Sequence, residues 1–147
     1  MSENKFEIWV IDTEISRRYS LAIQIMDLGY LTFHADPIKN ILEIYERPVV
    51  AIVHDDGHSV DRILDYRRKR PISCVAYSGS WKARRANELL RQGVAALIEW
   101  PCRSQQVTKA VAAAASGLST HVDDAWLGAR ARKRVEALSF HDRAVLR

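Results

Sequence analysis

The chain has 147 residues, of which 48% are hydrophobic and 27% charged, and its formal net charge is +4. This is an ordinary globular composition, and so small a charge does not by itself indicate a nucleic-acid partner. The chain starts without a secretory signal pattern, no apolar run is long enough to cross a membrane, and two cysteines cannot form a disulfide framework. We therefore expect one cytoplasmic domain with reduced thiols at Cys74 and Cys102 and no membrane partner.

Strands and helices are predicted to alternate along the chain. Apolar runs rich in β-branched residues predict strands, while apolar residues at helical spacing, such as Leu21, Ile25 and Leu28, predict helices. The predicted strands are 6–11, 30–34, 49–53, 72–78 and 94–100, and the predicted helices are 17–29, 38–46, 59–70, 80–93 and 104–117. Strands that are apolar throughout are covered on both faces, so we predict a doubly wound α/β fold with a five-stranded parallel sheet.

A further helix is predicted after residue 118. Asp123 or Asp124 can cap it. Its apolar stripe consists of Leu127, Ala131, Val135 and Leu138. We expect a homodimer, and this stripe is one candidate for its interface, although it is short for a coiled coil; helices 80–92 and 104–117 are the other. Ser139 then caps a short last helix.

Polar side chains collect where the predicted strands end. In doubly wound sheets, ligands bind outside the carboxyl ends of the strands. Those ends carry Asp12, Thr13, Glu14, His54, Asp55, Asp56, Ser78 and Trp100. This edge of the sheet is therefore the candidate functional site.

Six short segments together resemble a known family in their order and spacing. They are IWVID (8–12), DLGY (27–30), PVVAIVH (48–54), AYSG (76–79), RQGVAALIEWPC (91–102) and EALSFHDRAVLR (136–147). The chain resembles the receiver domain of two-component response regulators, most closely the FixJ branch, whose output is a LuxR-type helix-turn-helix. By element order, the resemblance covers about residues 6–117, and the tail extends it.

The resemblance implies a strand order, a domain division and partners. The sheet would have the flavodoxin-like order 2-1-3-4-5. Residues 1–118 would form the receiver-like domain, 119–138 a linker helix and 139–147 the start of a truncated helix-turn-helix. The protein would regulate transcription, with input from a sensor kinase or another regulator. It would reach DNA only through an output domain missing from this chain. No catalytic residue and no enzyme activity are expected.

The family's phosphorylation site is only partly matched here. In the family, two acidic residues and an acceptor aspartate hold Mg²⁺, and a lysine offsets the charge of the transferred phosphoryl group. Asp12 fits the first acidic position and Ser78 keeps the family's hydroxyl, but the second acidic, acceptor, lysine and switch-aromatic positions hold Thr13, His54, Trp100 and Leu97. Imidazole is a poor ligand for Mg²⁺ and indole carries no charge. We therefore predict a pseudo-receiver that is not phosphorylated and that needs no metal or other cofactor.

Two other interpretations stay open. A bulge in the third strand would turn Asp55 to the face of Asp12, and the domain would then be a conventional phosphoacceptor that uses Mg²⁺. Alternatively, His54 with Asp12 and Asp55 could bind a metal, or the ring of Trp100 could stack on a small molecule. Either arrangement would make the domain a sensor.

His54 and Trp100 also have more ordinary predicted roles. We expect His54 to be hydrogen-bonded to Asp12. We expect the Trp100 ring to cover the pocket, with its indole N–H donating to Asp12 or to a backbone carbonyl. The resemblance further implies a cis peptide bond between Trp100 and Pro101, because the family has a cis Lys–Pro bond there.

Overall fold

The structure, a computed structural model, describes residues 6–36, 47–68 and 70–121. The strands are β1 (Glu7–Ile11), β2 (Thr32–Ala35), β3 (Val49–His54), β4 (Ile72–Ser78) and β5 (Ala96–Glu99). The helices are α1 (Ile15–Met26), α2 (Ser59–Tyr66), α3 (Ala83–Gln92) and α4 (Ser104–His121). The strands pair in parallel in the order β2-β1-β3-β4-β5. The predicted fold class and strand order are confirmed.

Part of the prediction lies outside the described residues. This holds for the helix at 38–46, for all but the first residues of the linker helix at 119–138, and for the segment 139–147. The predicted dimerisation stripe also lies outside them: Leu127, Ala131, Val135 and Leu138. No helix in the described ranges is long and apolar enough to span a bilayer.

The helices end a few residues away from their predicted limits. α1 begins at Ile15 rather than at residue 17, because the Asp12 carboxylate accepts the backbone N–H of Glu14 (2.9 Å) and satisfies a donor ahead of the first turn. α2 ends at Tyr66 rather than at residue 70, and the backbone N–H of Arg68 then donates three residues back, to the carbonyl of Asp65 (3.2 Å). α3 ends as predicted beside Gly93, whose φ of +109° stops a helix.

The sheet separates two apolar cores. α1 and α4 cover one face of the sheet, and α2 and α3 cover the other. Successive residues of a strand point to opposite faces, so Val50 and Ile52 of β3 lie in the first core and Ala51 and Val53 in the second. The same alternation decides on which face a side chain at the end of a strand lies.

Asp56 fixes the start of α2. Its Oδ1 accepts the backbone N–H groups of His58 (2.8 Å) and Ser59 (2.7 Å), and its Oδ2 accepts the Ser59 hydroxyl (2.6 Å). Burial opposes ionisation of Asp56, but the hydrogen bonds outweigh it and lower the pKa of this carboxyl below its usual value. The N-cap position itself is His58, and Asp56, in its ionised form, satisfies the backbone donors there in place of a capping side chain.

Replacing Asp56 with alanine is expected to lower the free energy of unfolding by about 1 kcal/mol at neutral pH, the usual effect of losing a cap. Because folding lowers the pKa of Asp56, its contribution is present above about pH 4 and is lost as the pH falls through the folded-state value. Urea unfolding at pH 7 and at about pH 3 measures both values. Asp65→Ala, at an exposed position near the end of α2, is the control. Equal losses for Asp56→Ala at both pH values would contradict the prediction.

Candidate functional site

The sheet divides the predicted site residues between its two faces. Asp12, His54 and Trp100 continue the strand positions that face α1 and α4, whereas Asp55 and Ser78 continue those that face α2 and α3. The carboxyl edge of the sheet therefore contains two separate polar centres rather than one pocket.

The first centre is built on Asp12, whose side chain is fully buried. Arg17, in the first turn of α1, donates from Nε to Asp12 Oδ2 (2.6 Å) and from Nη2 to Oδ1 (2.8 Å). The hydroxyl of Tyr77 donates to Oδ2 (2.6 Å), and the backbone N–H of Glu14 donates to Oδ1 (2.9 Å). The guanidinium thus binds the carboxylate through two parallel hydrogen bonds, the strongest geometry for such a pair.

These contacts set the charge states of the first centre. Burial alone would raise the pKa of Asp12, but the hydrogen bonds from Arg17, Tyr77 and the Glu14 backbone outweigh it and lower that pKa. Burial raises the pKa of Tyr77, and the bond to Asp12 raises it further, so the phenol stays protonated. At neutral pH the centre is an anion held between a cation and a neutral donor.

Arg17 also approaches the second carboxylate that follows β1. Its Nη1 lies 3.4 Å from Glu14 Oε1, and the Ser16 hydroxyl donates to the other carboxylate oxygen (2.8 Å). Thr13, between Asp12 and Glu14, is exposed. The chain therefore supplies its own positive charge to the carboxylates at this strand end.

His54 and Trp100 contact Tyr77 rather than Asp12. Their rings meet the Tyr77 ring edge-on, with centroids 5.3 Å away for His54 and 6.4 Å away for Trp100. The hydrogen bonds predicted from His54 and from the Trp100 indole to Asp12 are not made, because Asp12 accepts from Arg17, Tyr77 and a backbone N–H instead. Trp100 packs against the core beneath α1 and α4, and its peptide bond to the following proline is cis, as the resemblance implied.

The second centre is built on Asp55, directly after β3. Arg85 of α3 donates from Nε to Asp55 Oδ2 (2.9 Å), from Nη2 to Oδ1 (2.7 Å) and from Nη1 to Glu88 (2.8 Å). The bond to Asp55 raises the pKa of Arg85. The hydroxyl of Ser78 donates to the carbonyl of Ser80 (3.1 Å), within its own loop. Asp55, like Asp12, is thus already bound to both arms of a guanidinium.

β3 reaches Asp55 without a bulge. Each residue from Val49 to His54 pairs in turn with a residue of β4. The backbone N–H of Asp55 continues the ladder by donating to the carbonyl of Tyr77 (2.9 Å). The displacement that would turn Asp55 to the face of Asp12 is therefore absent from this strand.

Asp12 and Asp55 are not arranged to hold a Mg²⁺ ion together. The ion needs several oxygen ligands around one point, but Asp12 and Asp55 lie on opposite faces and each binds an arginine. Among the residues that the structure describes, no three His, Cys, Asp or Glu side chains are grouped to hold a metal ion. The carboxyl edge of the sheet therefore does not bring together the oxygen ligands that a Mg²⁺ ion needs.

The prediction from sequence missed the three partners of these carboxylates. Arg17 follows Asp12 by five residues in a helix start, a spacing that could have indicated the pair. Tyr77 comes before Ser78, so the alternation of β4 would have placed it on the other face, beside His54. No spacing or motif connects Arg85 with Asp55, which it approaches only through the fold.

Comparison with known proteins identifies the fold. No protein-family model and no curated protein matches the sequence. The signal receiver domain of NarL from Mycobacterium tuberculosis superposes with a TM-score of 0.66 at 16% identity, over 78% of this chain and 99% of that one. Full-length FixJ from B. japonicum gives 0.62 at 20% identity, over 79% of this chain and 60% of that one.

A third match carries a different name. CpaE, a protein assigned to pilus assembly in Burkholderia thailandensis, gives a TM-score of 0.60 at 20% identity, over 76% of this chain and 98% of that one. Response-regulator receiver domains from Pseudoalteromonas atlantica and Methanospirillum hungatei match as well. Identities this low establish the fold alone, and that fold is the receiver-domain fold.

Proposed function

We propose that this chain is a receiver-type signalling domain of a response regulator that works without aspartyl phosphorylation. The observation that carries the proposal is the pairing of two carboxylates at the sheet edge with arginines of the same chain, Asp12 with Arg17 and Asp55 with Arg85. The receiver domains among the structural neighbours support the signalling role.

Phosphoryl transfer to a carboxylate has requirements that this edge of the sheet does not meet. The acceptor must be free to attack, and positive charge must gather around the transferred group. The position that resembles the acceptor holds His54, whose ring packs on Tyr77, and the position that resembles the lysine holds the uncharged Trp100. Asp55, the nearest carboxylate along the chain, faces the opposite side of the sheet and is bound to Arg85.

Assembly or partner binding would replace phosphate as the input. The domain would act in the cytoplasm, as a homodimer or in contact with a sensor kinase or another regulator, and would catalyse no reaction. Its output would be control of transcription through a DNA-binding domain, a role that rests on the resemblance of residues 136–147 to the start of a LuxR-type helix-turn-helix. The match with CpaE means that the fold alone does not fix this output.

Metal or small-molecule sensing has less support. The carboxylates that would bind a metal are paired with arginines, and the Trp100 ring that would stack on a ligand packs against Tyr77. Thermal unfolding with and without divalent metals tests this function separately, since a ligand that binds only the folded protein raises the midpoint.

Incubation with Mg²⁺ and acetyl phosphate is expected to leave the intact mass unchanged. The physical reason is that Asp12 and Asp55 are each bound to an arginine, and that the described part of the chain groups no three acidic, His or Cys side chains to hold a metal ion. An ordinary phosphorylatable receiver domain treated in parallel should gain about 80 Da, which shows that the reagent is active. A gain of that size in this protein that disappears in Asp55→Asn would overturn the proposal, and one that disappears in His54→Asn would show histidine phosphorylation instead.

A further inference from the structure

α3 is the least firmly packed of the described helices. Only Leu89 among its ten residues is buried, whereas α1 buries Leu21, Ala22 and Ile25. Apolar burial therefore contributes little to holding α3 against the sheet.

The start of α3 also lacks local stabilisation. Its N-cap residue is Lys82, which makes no side-chain cap bond, and its first turn contains no acidic residue. Arg84 and Arg85 add positive charge at this end, where the partial positive charge of the helix dipole disfavours cations. The sequence predicted a capped helix from residue 80, but α3 begins at Ala83, after a lysine that forms no side-chain cap.

Polar contacts to the sheet hold this end of α3 in place. The strongest is the two-armed ion pair between Arg85 and Asp55, which ties the first turn of α3 to the end of β3. Just before the helix, the Trp81 indole N–H donates to the carbonyl of Ile98 in β5 (2.9 Å). The position of α3 thus depends on charges and hydrogen bonds that lie close to solvent.

We propose that the Asp55–Arg85 ion pair is a conformational latch, which holds the first half of α3 on the sheet and releases residues 80–88 as a unit when it opens. The sheet would stay folded, because none of the buried residues of either core lies within 80–88, and only Trp81 of this segment packs against the second core. The Arg85 side chain is 29% exposed and that of Asp55 11%, so an acidic group of a partner can reach the arginine and compete for it. Opening would change the surface that the first half of α3 presents to solvent.

Hydrogen–deuterium exchange on the full chain tests the latch. Arg85→Met should speed exchange of the amides in 83–88 by on the order of tenfold, while those in β3 and α4 keep their wild-type rates. Asp55→Asn should speed exchange in the same segment by a similar factor. The double variant should exchange little faster than either single variant, because both changes remove the same contact. Glu88→Gln is the matched control, since it removes the other ion pair of Arg85 and leaves Asp55 in place.

The wild-type chain gives a second measurement that needs no variant. Raising the salt concentration from about 0.05 M to about 1 M screens a partly exposed ion pair, so exchange in 83–88 should rise selectively. Unchanged exchange in both experiments, or an equal rise throughout the chain, would overturn the latch. Neither result bears on phosphorylation, which the mass measurement decides independently.

Discussion

Arg17→Met is expected to lower the free energy of unfolding by about 3 kcal/mol at neutral pH. The change leaves the buried carboxylate of Asp12 with two neutral donors and no cation, and an unpaired buried charge is among the costliest defects in a protein. We take the lower end of the usual range because the Arg17 side chain is 26% exposed. Urea unfolding followed by circular dichroism measures the loss.

The loss of stability in Arg17→Met should become smaller as the pH falls. In the wild-type protein the pKa of Asp12 is lowered on folding, so its contribution to stability is present above the unfolded value near 4 and is lost as the pH falls below it. Without Arg17, the largest contribution that lowers the pKa of Asp12 is lost, so this pKa lies above its wild-type value and the carboxyl is protonated at a higher pH in the variant. The difference between the two proteins should therefore shrink from pH 7 to about pH 4.

Two variants separate pairing from other effects of the change. Arg17→Lys keeps the charge but not the two-armed geometry, and should lose less than Arg17→Met. The double variant Asp12→Asn/Arg17→Met should lose less free energy of unfolding than the two single variants lose together, because both changes remove the same interaction. A loss for Arg17→Met that is the same at both pH values would show that packing of the side chain, rather than charge, is responsible.

Tyr77→Ala is expected to lower the free energy of unfolding by about 4 kcal/mol, since it empties the space of a fully buried ring. The cavity would lie between His54 and Trp100, which both contact that ring. Urea unfolding at neutral pH measures the loss, and near-ultraviolet circular dichroism would report the altered surroundings of Trp100.

Tyr77→Phe is the matched variant, because it keeps the ring and removes only the hydroxyl that donates to Asp12. Hydrogen bonds to charged groups contribute about 1.5–3 kcal/mol, so we expect a loss of about 2 kcal/mol. Wild-type stability in Tyr77→Phe would mean that the hydroxyl is not required to hold Asp12. A loss as large as that of Tyr77→Ala would mean that the ring itself contributes little.

The fold could be predicted from sequence because its causes are local and repeated. Continuous apolar strands, helix-spaced leucines and isoleucines, and Gly93 after a helix each leave a pattern within a few residues. For the site, the alternation of side chains along each strand predicts only the face on which a residue lies. This alternation places Asp12 and His54 on one face of the sheet and Asp55 on the other. The partner of each side chain is decided by the helices that cover that face.

The two arginines show this limit in different ways. Arg17 is close to Asp12 in sequence, yet a basic residue in a first helical turn is usually taken as a solvated side chain. Arg85 binds Asp55 only because α3 packs across the end of β3. No pattern in the sequence of either segment indicates this tertiary contact. The mistaken bond from His54 to Asp12 has the same origin, since it assumed that the carboxylate had no better donor nearby.

The edge-on contact of His54 with Tyr77 has a consequence for substitutions at position 54. An aspartate that arose at position 54 would share its face with Asp12, so two negative charges would compete for one guanidinium. If the domain works without phosphorylation, as proposed, a single substitution at this position is therefore not expected to create an acceptor. The new carboxylate would lack a lysine beside it and would loosen the hold of Arg17 on Asp12.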